Sequence, residues 1–327
     1  MDITSRDTLP RPQPTARPGC GTLLVLAVLL GGLPVLAHAD EKIDSIENSG
    51  TSTLLSLEEI EAAEPLDETV TPEELELMRQ RYRELNPGLL EIEPGDHTEN
   101  LQQGVPAPVN DPDANSPYWS TGKLAFKKAD GKTHRCTAQF VGDLKIILTA
   151  AHCVYDIKAG AWNTNFTFKR AYTSGKSAQT VGWRCMSIFD AYHAPAKNYA
   201  YDYAFILTDK NDEKPPLTLQ IGIPATKPLT AVGYPRNYGN GKVLQSVDGE
   251  WASVLGGIVT ISGNPMRKGN SGGAWFSNFK IDGGSGDNLV VSLNSHHLVG
   301  NDVDENGPLF TADTARLLKY VLEEKCL

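Results

Sequence analysis

Three residue types able to carry out acyl transfer occur in the order histidine, aspartate, serine. His152 lies in Thr149-Ala150-Ala151-His152-Cys153, Asp202 in Tyr201-Asp202-Tyr203-Ala204-Phe205-Ile206-Leu207, and Ser271 in Gly269-Asn270-Ser271-Gly272-Gly273. A serine hydroxyl becomes an effective nucleophile when a neutral imidazole takes its proton. A buried carboxylate fixes the tautomer of that imidazole and steadies the imidazolium that forms. The expected roles are therefore Ser271 as nucleophile, His152 as general base and acid, and Asp202 as the group that orients His152. The N–H groups of Gly269 and Ser271 are expected to form an oxyanion hole, since a side chain at position 269 would obstruct backbone approach. Asp190, Asp209 and Asp212 compete with Asp202, but none directly precedes a run like Ala-Phe-Ile-Leu.

A Gly-x-Ser-x-Gly pattern also fits the strand-to-helix elbow of α/β-hydrolases, where the order is serine, acid, histidine. That reading needs His296 or His297 as base, with Asp282 or Asp287 before it. Only 56 residues follow Ser271. They read as strands, 274–276 and 289–293, without strand–helix alternation, so the elbow is set aside.

The elements that must position the three residues are short and β-rich. Runs at 136–141, 145–149, 180–183, 229–232 and 257–261 are separated by Gly, Asn and Pro. This spacing predicts an all-β sandwich or barrel. A helix is expected only at the C-terminal end, capped by Thr311 or Asp313, with Leu317, Leu318, Val321 and Leu322 on one face.

The blocks Leu148-Thr149-Ala150-Ala151-His152-Cys153 and Gly269-Asn270-Ser271-Gly272-Gly273 resemble the two signature blocks of trypsin/chymotrypsin-like serine peptidases. The segment at Asp202 is similar to the third block. Val232-Gly233-Tyr234-Pro235 resembles a segment of the bacterial glutamyl-endopeptidase-like branch. The resemblance spans about Pro117 to Leu327. It implies two antiparallel six-stranded β-barrels with the triad in the cleft between them, a C-terminal helix, and cleavage of peptide bonds through an acyl-enzyme. It also implies a Cys136–Cys153 disulfide closing the histidine loop. Cys185 and Cys326 then remain. Their pairing is expected by elimination, with free thiols as the alternative, since four cysteines allow three connectivities.

The same resemblance frames the specificity pocket. Members that cut after Lys or Arg carry an aspartate six residues before the nucleophile, where this chain has Pro265. Pro265, Met266, Arg267 and Lys268 form one expected wall, and Asn294, Ser295, His296 and His297 the other. Ser295 matches the family serine that hydrogen-bonds the buried aspartate. Asn294 stands where the glutamyl branch has a histidine, and His296 is the remaining candidate for reading an acidic side chain. Neutral or acidic residues are the expected preference. Asn270 replaces the aspartate that receives a new N-terminal ammonium in trypsin-type zymogens, so the loop is expected to be held by neutral hydrogen bonds.

Ahead of this domain, 117–327, lie two segments of different character. Residues 1–39 read as an export signal: Arg6, Arg11 and Arg17, an uncharged apolar run at 22–36, then Ala37-His38-Ala39. The run is shorter than the ~20 residues a membrane span needs, and Cys20 is expected to leave with it. Residues 40–116 read as an acidic propeptide and linker. Positions 40–104 hold 18 Asp and Glu against 4 Lys and Arg, whereas 105–327 hold 20 against 23. Ser56-x-x-Glu59 and Thr71-Pro72-Glu73-Glu74 are capping-box patterns that start helices. In the second, Leu75, Met78, Tyr82 and Leu85 share a face and Asn86-Pro87-Gly88 ends it. The Pro- and Asn-rich stretch from Gly104 to Pro117 reads as a linker.

No cofactor is expected. Asp302, Asp304 and Asn306 copy the spacing of a calcium loop, but position twelve is Asp313 rather than Glu and the flanks read as strands, so a plain surface loop is expected. The expected partners are a peptide or protein substrate and the chain's own propeptide, with no nucleic acid and no stable membrane anchor. The expected location is outside the cytoplasm, extracellular or periplasmic. Two rival functions remain: a catalytically silent binding protein of the same fold, and an esterase using the same triad.

Overall fold

Alternating apolar residues and frequent turn residues fold the chain into two curled antiparallel sheets, each forming a half-barrel. The structure, a computed structural model, describes residues 41–50, 53–94, 104–194 and 197–327. The segment read as an export signal lies outside these residues. Among the described residues, no helix is long and apolar enough to cross a membrane.

The first sheet runs in the order Ile43–Glu47, Trp183–Phe189, Ala204–Thr208, Ile146–Thr149, Thr133–Phe140, Thr121–Lys127, Thr164–Arg170, Gln179–Val181. The second runs Leu289–Leu293, Ala274–Ser277, Pro228–Gly233, Leu244–Leu255, Ile258–Ser262, Asp304–Pro308. Their inner faces bury Phe140, Ile147 and Phe205 in one half and Val259, Ile261 and Trp275 in the other. The C-terminal helix, Ala312–Leu322, starts at Thr311, whose hydroxyl accepts the Asp313 N–H. Leu317 and Val321 of this helix are buried, whereas Leu322 is exposed. Both disulfides are formed. Cys136–Cys153 joins the histidine loop to its neighbouring strand, and Cys185–Cys326 ties the end of the helix to the first sheet.

The acidic segment is folded against the rest of the chain over much of its described length. Both capping boxes are present, at the starts of helices Leu57–Ala62 and Pro72–Leu85. Leu75 and Tyr82 are buried and Met78 is partly so, but Leu85 of the expected face is exposed. Tyr82 lies against Tyr201, ring centroids 5.5 Å apart. The leader also adds strands to the first sheet. Ile43–Glu47 covers the edge strand Trp183–Phe189, and Glu64–Pro65 runs parallel to His134–Arg135.

The stretch read as a linker is docked. Ala107–Val109 pairs with Leu244–Ser246, and Asp113 meets the buried Arg170 at 2.6 Å. Composition marks this stretch as turn-rich, but Ala107–Val109 and Asp113 find long-range partners that local pattern does not reveal.

Candidate active site

Strand register brings the first two residues together. Ala204 pairs with Thr149, so the start of Ala204–Thr208 lies beside the end of Ile146–Thr149. Asp202 immediately precedes one strand, and His152 follows the other on the 3-10 turn Ala151–Cys153. The His152 N–H donates to Asp202 Oδ1 at 2.9 Å, and His152 Nδ1 lies 2.8 Å from Oδ2. Ser295 Oγ donates to the same Oδ2 at 2.5 Å. Burial by itself would raise the Asp202 carboxyl. His152, the Ser295 bond and Lys197 outweigh it and hold the group down at about 2. Asp202 is therefore a buried anion whose hydrogen bonds favour the tautomer with a proton on His152 Nδ1. His152 Nε2 is left without a partner among the described residues.

Ser271 sits on a loop clamped by both sheets. Thr137 N–H donates to the Ser271 carbonyl at 2.8 Å, Thr137 Oγ1 to the Gly269 carbonyl at 2.9 Å, and Gln139 Nε2 to the Gly272 carbonyl at 2.9 Å. From the second sheet, the Asn294 carbonyl accepts the Gly272 N–H at 2.8 Å. Gly269 and Gly272 adopt φ of 95° and 85°, in the left-handed region that favours glycine. A Cβ on Gly272 would also lie 2.3 Å from the Thr137 carbonyl oxygen.

A peptide carbonyl already occupies the position in front of Gly269. The leader crosses the cleft, and the Leu66 carbonyl oxygen accepts the Gly269 N–H at 2.6 Å. On one side of this point the leader follows His134–Arg135. On the other, Thr69–Val70 runs parallel to His297–Leu298. Between them Glu68 receives Lys197 Nζ at 2.6 Å and the Tyr199 hydroxyl at 2.7 Å. Burial would raise the Glu68 carboxyl, but His152 and Lys197 outweigh it and leave it below the ordinary range. Sequence reasoning singled out neither Glu68, Lys197 nor Tyr199. The only signal was charge, an acidic leader facing a mildly basic domain.

The expected pocket residues divide. Ser295 lies on Asp202. Asn294 serves as an internal brace: its Oδ1 accepts Trp275 Nε1 at 2.7 Å and Asn264 Nδ2 at 2.9 Å, and its Nδ2 donates to the Val232 carbonyl at 2.9 Å. Met266 is packed in the core of the second sheet with Val247, Ile261 and Trp275, and Pro265 is buried, its carbonyl held by Asn237. Arg267 donates to the Asn264, Met266, Asn301 and Asp304 carbonyls and pairs with the buried Glu305 at 3.0 Å. His296 stacks on Tyr199 at 4.1 Å between ring centroids and is fully buried. Burial pushes its ring down to about 3, so the ring is neutral. The charge that made His296 a candidate reader of a carboxylate is therefore missing. Asn270 holds its loop through the backbone: its carbonyl takes the Gly273 N–H and Asn294 Nδ2.

For metals, Cys136, His152 and Cys153 approach one another closely, but both sulfurs are in the disulfide. Asp304 and Asn306 belong to an extended strand, where they accept from Asn301 Nδ2 and the Thr260 hydroxyl.

The fold has counterparts among known proteins. The family model described as trypsin matches residues 110–319. A search of curated proteins gave no significant match. Among solved structures, a thermostable serine protease from an extremophilic microorganism is 24% identical with a TM-score of 0.52, covering 62% of this chain and 96% of its own. The protease Anisep from Arthrobacter nicotinovorans is 22% identical, TM-score 0.52, covering 65% and 97%. A Glu endopeptidase is 18% identical, TM-score 0.55, covering 68% and 98%. At these identities the likeness is one of fold.

Proposed function

The chain belongs to the trypsin family, and from that premise we propose that it is a secreted serine endopeptidase made as a latent precursor. The observation that carries this reading is the Leu66 carbonyl on the Gly269 N–H, two residues before Ser271, in a site where Asp202 already holds His152. In this reading the Leu66 carbonyl stands in for a substrate's, and the segment that supplies it is the chain's own acidic leader. Two disulfides fit a life outside the reducing cytoplasm.

In the proposed reaction Ser271 Oγ attacks the substrate carbonyl as its proton passes to His152 Nε2. Asp202 steadies the resulting imidazolium, and the Gly269 and Ser271 N–H groups hold the oxyanion. His152 then gives that proton to the leaving amine, whose C–N bond breaks, leaving an ester on Ser271. Water, deprotonated by His152, attacks the ester. The acid product departs as Ser271 recovers its proton. No metal or cofactor takes part in these steps.

Cleavage of a diverse peptide library by the protein freed of its leader tests the reading. Turnover of peptides that disappears in Ser271→Ala supports an endopeptidase. Turnover of esters but not peptides favours the esterase, and neither favours the silent binding protein.

A further inference from the structure

A cavity of about 260 Å³ opens beside the oxyanion position, away from the expected specificity walls at 265–268 and 294–297. Four cations line it: Lys123, Arg135, Arg236 and Lys242. The leader, from Glu61 to Pro65, covers it. Lys123 and Arg135 are only 3% and 5% exposed. Among the described residues, none of the four has a carboxylate within ion-pair distance. Lys123 Nζ lies 3.8 Å over the Tyr172 ring, and Arg135 donates to the Tyr234 carbonyl. These contacts orient the two cations without neutralising them.

Buried charge without a counter-ion is unfavourable, and a carboxylate reaching it gains an interaction that water screens poorly. Burial first, and Arg135 second, brings Lys123 down to about 7, while burial lowers Arg135 to about 10. Glu61 offsets part of this at Lys123, but among the described residues no carboxylate of the leader reaches ion-pair distance of the four cations. The leader provides two acidic residues in the segment covering it, Glu61 and Glu64.

Building on the peptidase reading, we infer that this cavity binds an acidic side chain on the leaving-group side of the substrate, within the first three residues after the scissile bond. The leader lies across the site in the direction opposite to a substrate. The Leu66 carbonyl marks the reacting position, and Thr69–Val70 runs parallel along the expected acyl-side wall at His297–Leu298. Pro65 and Glu64, parallel to His134–Arg135, lie where a substrate's leaving chain runs. Arg135 fixes the reach: a Cβ on Gly269, the oxyanion donor, would lie 2.5 Å from Arg135 Nη1. The substrate class is thus a peptide with Asp or Glu just beyond the cut, whatever residue precedes it.

The test uses protein expressed as the full chain and matured by removal of the leader. Peptides sharing one acyl half carry Glu, Gln or Lys in the three positions after the cut, and an ester of the same acyl half has no such positions. We expect kcat/KM to be about ten-fold or more higher for Glu than for Lys, through KM, with the ratio falling as salt is added. Arg236→Glu combined with Lys242→Glu, both at exposed positions, is expected to bring the ratio to one or below. Equal rates for Glu, Gln and Lys overturn the proposal while ester turnover leaves the catalytic reading standing. If neither ester nor peptide turns over, the catalytic reading fails. Calorimetric binding of the Glu- and Lys-bearing peptides then decides the cavity, tighter binding of Glu supporting it and equal binding overturning it.

Discussion

The Gly269 N–H and the Leu66 carbonyl, 2.6 Å apart, join the candidate oxyanion site to a residue about two hundred positions earlier in the chain. A donor already engaged by the leader cannot serve a substrate. The full chain is therefore expected to turn over peptides far more slowly than protein freed of residues 41–94. Initial rates of the two forms at equal concentration check this, and equal rates would contradict it.

Glu68 is the leader's electrostatic anchor, through Lys197 and Tyr199. Glu68→Ala in the full chain is expected to raise basal turnover about ten-fold, consistent with loss of charge-assisted hydrogen bonds. The pH dependence has a defined sign. The carboxyl in place lies below its ordinary value of 4.5, so its hold is complete above that value and is lost as pH falls through the lowered one. Brief acid exposure should release the leader more readily in the unmodified chain than in Glu68→Ala, measured as activity regained after neutralisation.

Asp202 and Ser295 test the base. Asp202→Asn is expected to lower kcat about 10⁴-fold with the fold kept, by favouring the wrong His152 tautomer. Ser295→Ala removes one charge-assisted bond to a buried carboxylate, about 1.5–3 kcal/mol. Asp202 sits at about 2, below its ordinary 3.8, so its stabilisation is present above 3.8 and lost as pH falls through 2. Ser295→Ala should therefore unfold at higher pH in acid titration, followed by circular dichroism. An unchanged acid midpoint would show that the bond contributes nothing.

What the sequence made legible, and what it left hidden, follows from how each feature is encoded. His152, Asp202 and Ser271 lie in short blocks whose local composition announces them, and both leader helices carry their own caps. The leader's route could not be read, because Thr69–Val70 on His297–Leu298 is a long-range pairing of two-residue strands without periodicity. The basic cavity was hidden for a similar reason: Lys123 and Arg135 look like ordinary strand lysine and arginine until Arg236 and Lys242 arrive from the other sheet. Position in the chain likewise does not reveal that Met266, Arg267 and Asn294 turn inward as packing and bracing residues.

Arg267 braces the segment leading to Ser271 by four carbonyls and Glu305. Arg267→Met is expected to destabilise, since it leaves four carbonyls and the buried Glu305, whose carboxyl burial raises to about 8, without their donor. Adding Glu305→Leu should recover part of that loss in thermal or denaturant unfolding. No recovery would show that the carbonyl contacts, not the ion pair, carry the effect.

Asn270 has no charge to receive an ammonium, and its loop is held by Gly273 and Asn294. Matured chains starting anywhere from Val105 to Asp113 are expected to have similar kcat/KM, unaffected by acetylating the new terminus. Starts beyond Asp113 lose a partner of the buried Arg170 and should melt lower while keeping the same kcat/KM. A sharp optimum at one start, abolished by acetylation, would restore a role for the free amine.

The central claim, a latent serine nucleophile at position 271, is tested most directly by fluorophosphonate labelling of the full chain and of the protein freed of its leader, with the modified residue mapped by mass spectrometry. The account predicts rapid, stoichiometric labelling of Ser271 in the freed protein, little in the full chain, and none in His152→Ala on the same timescale. Absence of label at Ser271 in the freed, folded protein, or labelling at a different residue, would contradict it.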